Sequence, residues 1–327
     1  MDTLVNTRAM IHTVKVSTSA RLHMGFFDLS GGANKFGGLG LAIDAPCTQV
    51  TIAKNQKRTI DVSLIDVKSS ENVSNIVENL VKLFNLKQHF SLTINQSIPI
   101  HAGFGSGTQM ALAIGTGLNQ LFDLQLSVSQ IATAAKRGIR SGIGIAAFEQ
   151  GGFLVDVGKT DNHLPVIAMR QDFPTDWRVL LVQDSAHIGV HGAVESQAFK
   201  TLKPTQDSLR AMVFEHMIPA MQRADLLAFG AYMADLQAYN GAYFAPIQGG
   251  CYASSDVAEV LTWFQENGVA CVGQSSWGPT GFAIVETAQH AENLQHKAQL
   301  AFAAKCNISF KMVRGKNSGA STRILES

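Results

Sequence analysis

Val14 to Ser19 alternates apolar and polar positions, the period of a half-buried strand, and Leu39 to Ile43 followed by Thr48 to Ala53 continues in strand character. Asp44-Ala45-Pro46 reads as the turn between those last two runs. From Asn72 to Phe84 the residues Val73, Ile76, Val77, Leu80, Val81 and Phe84 recur at helical spacing, and Phe90 to Ile94 returns to alternation ahead of Pro99. Met110 to Phe122 reads as an apolar helix and Val128 to Lys136 as another, after which Gly151 to Val157 resumes strand character. Asp161 to Pro165 is a connector, and Trp177 to Gln183 a continuous apolar strand. The second half predicts helices at Leu209 to Met221, Leu226 to Leu236 and Ser255 to Asn267, with strands at Ala270 to Val272 and Phe282 to Glu286. The mixture predicts an α+β chain of two domains, 1–165 and 166–327, divided near Pro165.

Two glycine-dense stretches interrupt these elements. Gly25 to Gly38 is too rich in glycine for a helix interior and suits a loop that lets backbone approach something closely. The second, His101-Ala102-Gly103-Phe104-Gly105-Ser106-Gly107-Thr108-Gln109, lies between the strand ending near Pro99 and the apolar helix. Strand, glycine-rich turn and helix in that order bring backbone N–H groups and the positive end of a helix dipole to one point, which favours an anion. Ser106 and Thr108 add hydroxyls for a phosphate or a magnesium ion, and Gln109 is placed to orient a ligand. A plain tight turn and helix cap is the structural alternative. The pattern is neither the P-loop with its following Lys nor a dinucleotide fingerprint.

The balance of charge argues that any anion is held locally. Lys plus Arg number 26 against 25 acidic residues, which gives no broad attraction for nucleic acid or an anionic membrane surface. With 46% hydrophobic and 16% charged residues, the 327-residue chain can bury a large core. No apolar run approaches the roughly 18 residues that span a bilayer, and no leader is visible at the start, so the cytoplasm is the expected location. Cys47, Cys251, Cys271 and Cys306 lack the paired spacing of zinc or redox motifs and are expected to be reduced thiols.

Gly103-Phe104-Gly105-Ser106-Gly107 resembles the G-L-G-S-S phosphate loop of the superfamily of galactokinase, homoserine kinase, mevalonate kinase and phosphomevalonate kinase (GHMP). Ser19-Ala20-Arg21-Leu22-His23 and Val272 to Thr280 match its early basic and late glycine-rich motifs in position. The resemblance implies a GHMP kinase-like two-domain fold, with an N-terminal domain like ribosomal protein S5 and a C-terminal ferredoxin-like α/β sandwich. Kinases of the group carry an S-G-x-D segment eight residues before the second glycine of a pair. Here that segment is Ser141-Gly142-Ile143-Gly144 ahead of Gly151-Gly152, so Gly144 stands where the carboxylate would be. A glycine cannot take a proton from a substrate hydroxyl.

A narrower group is similar along nearly the whole chain: the β-ribofuranosylaminobenzene 5′-phosphate synthases, which start the methanopterin pathway. Ala20 to Leu29, Phe36 to Asp44, Pro99 to Gln109, His191-Gly192-Ala193-Val194-Glu195, Tyr243 to Gly250, Gly273 to Thr280 and Asn317-Ser318-Gly319-Ala320 carry the resemblance. It implies condensation of phosphoribosyl pyrophosphate with 4-aminobenzoate or 4-hydroxybenzoate, with loss of carbon dioxide and pyrophosphate. Magnesium is the implied cofactor, with no ATP, and a homodimer the implied assembly. Gly103, Gly105, Ser106, Gly107, Thr108 and Gln109 would hold the pyrophosphate, Thr108 also the metal. Arg21, His23 and Trp277 suit a flat acceptor with a carboxylate, and His101 suits proton transfer. Asp28 is open between metal, a ribose hydroxyl and a turn cap, while Gln248, Ser275 and Ser276 are open between ligand contact and turn chemistry. An ATP-dependent small-molecule kinase of the same fold is the runner-up, and a binding protein without catalysis the third possibility.

Overall fold

A computed structural model of the chain describes residues 11–29, 36–158, 164–190, 192–202 and 208–326. The first glycine-rich loop between Ser30 and Lys35, the connector from Asp161 to His163, and His191 lie outside the described residues. The first half runs β1 (Ile11–Asp28), β2 (Gly37–Lys54), β3 (Thr59–Asp61), α1 (Val67–Leu83), β4 (Phe90–Gln96), α2 (Ser106–Phe122), α3 (Val128–Ala134), α4 (Ile143–Glu149), β5 (Phe153–Asp156) and β6 (Ile167–Gln171). After β7 (Arg178–Asp184) and α5 (Gly192–Thr201), a π-helical turn at Met212–Met217 leads into α6 (Ile218–Gln222) and α7 (Leu226–Gln248). The chain closes with α8 (Ser255–Glu266), β8 (Cys271–Gln274), β9 (Thr280–Val285), α9 (Ala288–Ala301), β10 (Ile308–Val313) and β11 (Ser321–Glu326).

One sheet has the order β11-β1-β2-β4-β3, with β5 on β2 and β6 on β5; the other has the order β10-β7-β9-β8. Strands β6 and β11 lie beyond Pro165 yet pair within the first sheet, so strand pairing crosses the division expected there. The return of β11 covers the outer edge of β1, which would otherwise offer unpaired N–H and C=O groups.

Both faces of the second sheet are covered, which is why its central strands β7 and β9 read as apolar runs. Val179, Leu181, Phe282 and Ile284 join a core shared with the first sheet, α6 and α7. Their neighbours Leu180, Val182, Ala283 and Val285 pack against α8 and α9. The turn expected at Asp44-Ala45-Pro46 is instead an irregularity inside β2, where the ladder steps from Ser19 opposite Cys47 to Arg21 opposite Ala42. Residues at the step also pair with the C-terminal segment: Asp44 donates its N–H to the Arg314 carbonyl, and the Ala42 carbonyl accepts from Lys316.

That irregularity matters for function. Val14 and Val16 face the core under α1 and α2, whereas Ala20, Leu22 and Met24, of the same parity, face the second sheet. The swap falls at the irregularity, where a step of two residues along β1 matches a step of five along β2. Beyond the swap, Arg21 and His23 turn away from the inter-sheet core. Among the described residues no helix is long and apolar enough to cross a membrane.

Candidate functional site

The loop from Gly103 to Gly107 opens α2 in backbone conformations that only glycine adopts without strain. Gly103 has φ +83°, and a Cβ there would meet the Ser275 carbonyl oxygen at 2.4 Å; Gly105 has φ +74°, and its Cβ would lie 3.0 Å from the Arg21 guanidinium carbon. Helices α1, α3, α8 and α9 start with a side chain accepting from their first turn. Gly105 caps α2 with no side-chain bond. The first N–H groups of this 17-residue helix therefore face the loop as ready donors for an anion.

The rest of the chain is built to hold that loop in place. Arg21 donates its backbone N–H to Phe104 at 3.1 Å, and its Nη1 donates to the Gly103 carbonyl at 2.7 Å. Ser275 donates its hydroxyl to the same carbonyl at 2.8 Å and accepts from the His23 N–H at 3.0 Å. Three segments far apart in sequence thus meet at one carbonyl.

Around the loop lies a cleft of about 580 Å³, lined by Arg21, Lys68, His101, Ser106, Thr108, Arg137 and Trp277 among others. Burial lowers the Arg21 guanidinium to about 10, partly offset by the Glu195 charge, so it stays cationic at neutral pH. Arg137, which sequence reasoning missed, is lowered by burial alone. Both arginines have a buried Nε without a hydrogen-bond partner. Lys68 escapes sequence reasoning as well: it stands in the first turn of α1 and Arg137 in the turn after α3, and no motif marks either.

Of the residues expected at the site, Arg21, His101, Gly103, Gly105, Ser106, Gly107, Thr108, Ser276 and Trp277 line this one cleft. Gln109 does not. It is fully buried, accepts from the Thr18 hydroxyl at 2.5 Å and donates to the Gly144 carbonyl at 2.8 Å, so it supports the loop from beneath. Ser275 is also fully buried, with its hydroxyl engaged as described. Gln248 stands apart, its amide donating to Gly250 and Cys251 and accepting from Gln274. Asp28 ends β1 away from the cleft lining. His23 borders a neighbouring cavity of about 30 Å³ with Gln237, Asn240 and Gln274. Burial, reinforced by the Arg21 charge, pushes its imidazole down to about 3. It is neutral at any physiological pH, with Nε2 buried and unpartnered.

Trp277 joins the cleft to an aromatic cluster. Its ring lies 4.4 Å from Phe244 and 5.6 Å from Phe199, centroid to centroid, and Phe26 and Leu29 complete the buried group. Arg140 stacks over Phe199 at 4.9 Å and pairs with Glu195 of α5 at 2.5 Å. Gly144 lies behind Thr108, outside the cleft lining: a Cβ there would sit 3.2 Å from the Thr108 methyl carbon. The position that faces Thr108 thus carries no carboxylate.

Among the described residues no group of three or more His, Cys, Asp or Glu can hold a metal ion. The oxygen donors in the cleft include the Ser106 and Thr108 hydroxyls and the carboxylates of Glu71 and Glu195. This set fits magnesium that arrives with substrate phosphates, keeps most of its water and takes one or two protein oxygens.

Family models for the GHMP kinases N terminal domain and the GHMP kinases C terminal match residues 71–152 and 217–304. The chain is 30% identical over 301 residues to beta-ribofuranosylphenol 5'-phosphate synthase of Methanocaldococcus jannaschii, covering 82% of this chain and 88% of that one. The enzyme of the same name from Methanothermobacter thermautotrophicus is 27% identical over 301 residues, covering 85% and 90%. Among solved structures, L. major mevalonate kinase superposes with a TM-score of 0.66 at 13% identity, covering 93% of this chain and 97% of that one. That last likeness concerns the fold.

Proposed function

The chain belongs to the family of the beta-ribofuranosylphenol 5'-phosphate synthases, built on the GHMP kinase fold, and from that premise we propose that it joins phosphoribosyl pyrophosphate to a 4-substituted benzoate. The products are a C-riboside 5′-phosphate, carbon dioxide and pyrophosphate. The observation that carries this reading is the pairing of a cationic, glycine-built anion cradle with Gly144 in place of a catalytic carboxylate.

The reaction sets three tasks. As the C1–O bond of the ribose breaks, charge gathers on the leaving pyrophosphate; the α2 N-terminus, the Ser106 and Thr108 hydroxyls and Arg21 stabilise it. Magnesium bound with the substrate would add charge neutralisation there, held by those hydroxyls with Glu71 or Glu195. The acceptor must present its ring carbon to C1, and Trp277 with Ile100 and Val190 supplies a flat apolar wall beside the loop. His101 lines the same cleft and is the group suited to exchange a proton with the para substituent. His23 is not suited, because its imidazole is neutral and lies in the adjoining cavity. A hydroxyl and an amino group are both electron-donating, and either acceptor satisfies this chemistry.

The test is stoichiometric. With phosphoribosyl pyrophosphate, magnesium and a carboxyl-labelled 4-hydroxy- or 4-aminobenzoate, labelled carbon dioxide and pyrophosphate are expected in equal amounts, one of each per riboside. Label that stays in the carboxylate with both acceptors, in protein that binds the donor, refutes the synthase reading. Consumption of ATP without release of label would instead identify a kinase.

A further inference from the structure

Arg21 reaches the loop from β1, and Arg137 reaches it from the turn after α3. Nη1 of Arg137 lies 3.3 Å from where a Cβ on Gly107 would sit, so the guanidinium packs against the first turn of α2. The two arginines therefore flank the loop at its two ends, Arg21 at Gly103 and Gly105, Arg137 at Gly107. Nε of Arg137 is buried without a partner, and burial is the one influence on its pKa, with no carboxylate to offset it. Of the acidic residues lining the cleft, Glu195 is paired with Arg140.

A guanidinium withdrawn from water without a counter-ion destabilises the protein that carries it. Such a group is a site feature when a ligand supplies the missing charge. We propose that Arg137 is the counter-charge for the pyrophosphate of the donor substrate, binding it at the Gly107 end of the loop while Arg21 holds the other end. The assignment rests on the synthase reading for the identity of the donor. When the C1–O bond breaks, its electron pair leaves on the pyrophosphate oxygen and the ring carbon supplies the pair for the new C–C bond. The pair of the bond to the carboxylate returns to the ring as carbon dioxide departs. No net proton and no oxidant is needed, so the charge to be balanced is that of pyrophosphate itself. The planar fork of Arg matches two phosphate oxygens where Lys offers a point charge.

The experiment measures binding of inorganic pyrophosphate with magnesium to the whole protein by calorimetry, together with the thermal midpoint of the ligand-free protein. No acceptor or turnover is involved, so the outcome stands apart from the carboxyl-label test. Arg137→Gln is expected to weaken pyrophosphate by about tenfold or more, the size of one lost charge-assisted contact. Its ligand-free midpoint should equal or exceed wild type, because a buried unpaired charge has gone. Arg137→Lys, which keeps the charge, should bind with intermediate affinity. Unchanged affinity in both variants overturns the proposal, as does wild-type protein that ignores pyrophosphate. A lowered midpoint or failure to fold in Arg137→Gln also overturns it, since the guanidinium would then be structural. If label stays intact while Arg137→Gln still loses pyrophosphate, the synthase reading falls and the counter-charge role stands for another polyphosphate ligand.

Discussion

Asp156 offers a test of how the segment leading into α4 is held. It ends β5 fully buried, and its carboxylate accepts from Gly38 N at 3.2 Å, Gly158 N at 3.0 Å, Gly142 N at 2.9 Å and the Ser141 hydroxyl at 2.6 Å. Burial outweighs these four bonds and raises the carboxyl from 3.8 to about 6. Between about pH 4 and pH 6 the folded chain keeps a proton that the unfolded chain has released, so this group makes stability fall as pH rises through that window. At about 1.4 kcal/mol per pKa unit, the total is about 3 kcal/mol. Asp156→Asn cannot titrate, and whatever fixed cost its amide brings does not change with pH. Urea unfolding of both proteins from pH 4 to pH 7 therefore isolates the carboxyl. Wild type should lose about 2.4 kcal/mol relative to the variant between pH 4 and pH 7, with most of the change below pH 6. A difference that stays constant, or wild type gaining on the variant as pH rises, would show that the carboxyl is not held as described. The site is involved because Asp156 anchors Ser141 and Gly142, immediately after the Arg140 that pairs with Glu195.

Gln109→Ala should lower stability by about 2–3 kcal/mol, since it strands the Thr18 hydroxyl and the Gly144 carbonyl in the interior; denaturant unfolding checks this, and a large loss of activity per folded molecule would mean a direct ligand role instead. Light scattering at micromolar concentration is expected to give twice the mass of one chain, in keeping with exposed apolar side chains such as Leu227 at the start of α7; a single-chain mass would refute the dimer.

The loop and its neighbours were legible because their chemistry is local. Glycine at positive φ, hydroxyls beside it and a helix directly after form a pattern within a few residues, and Arg21 sits beside a recognisable strand. What was hidden depends on distance. Ser275 and Gln109 look like ligand groups in sequence because both are polar and flanked by glycine; their bonds to Gly103 and Thr18 connect segments 172 and 91 residues apart. The helix α7 was read to Leu236 but runs to Gln248, since residues such as Asn240 and Gln237 bond buried backbone on β1 rather than solvent and so blur the polar face. Strands β3, β6, β10 and β11 and helices α4, α5 and α9 do not follow from the sequence pattern. For β10, the buried positions alternate with exposed lysine and serine in only six residues, a signal too short to separate from a loop.

The replacement of one carboxylate by Gly144 is consistent with the reaction proposed for this cleft. In a phosphoryl transfer the attacking hydroxyl must lose a proton, and a carboxylate near the loop has a task. In the C-riboside reaction the attacking atom is a ring carbon, and the group it loses is carbon dioxide. The carboxylate of the acceptor departs from the very carbon that forms the new bond, so no side chain need accept a proton there. An anionic side chain at 144, against the Thr108 side chain, would also repel a pyrophosphate held by that residue. The need for positive charge is unchanged, because pyrophosphate leaves with the electron pair of the bond it gives up. A cleft with Gly144 where the kinases it resembles carry a carboxylate, and with Arg21 and Arg137 against the loop, is therefore suited to a reaction whose leaving group is anionic and whose nucleophile has no proton to give.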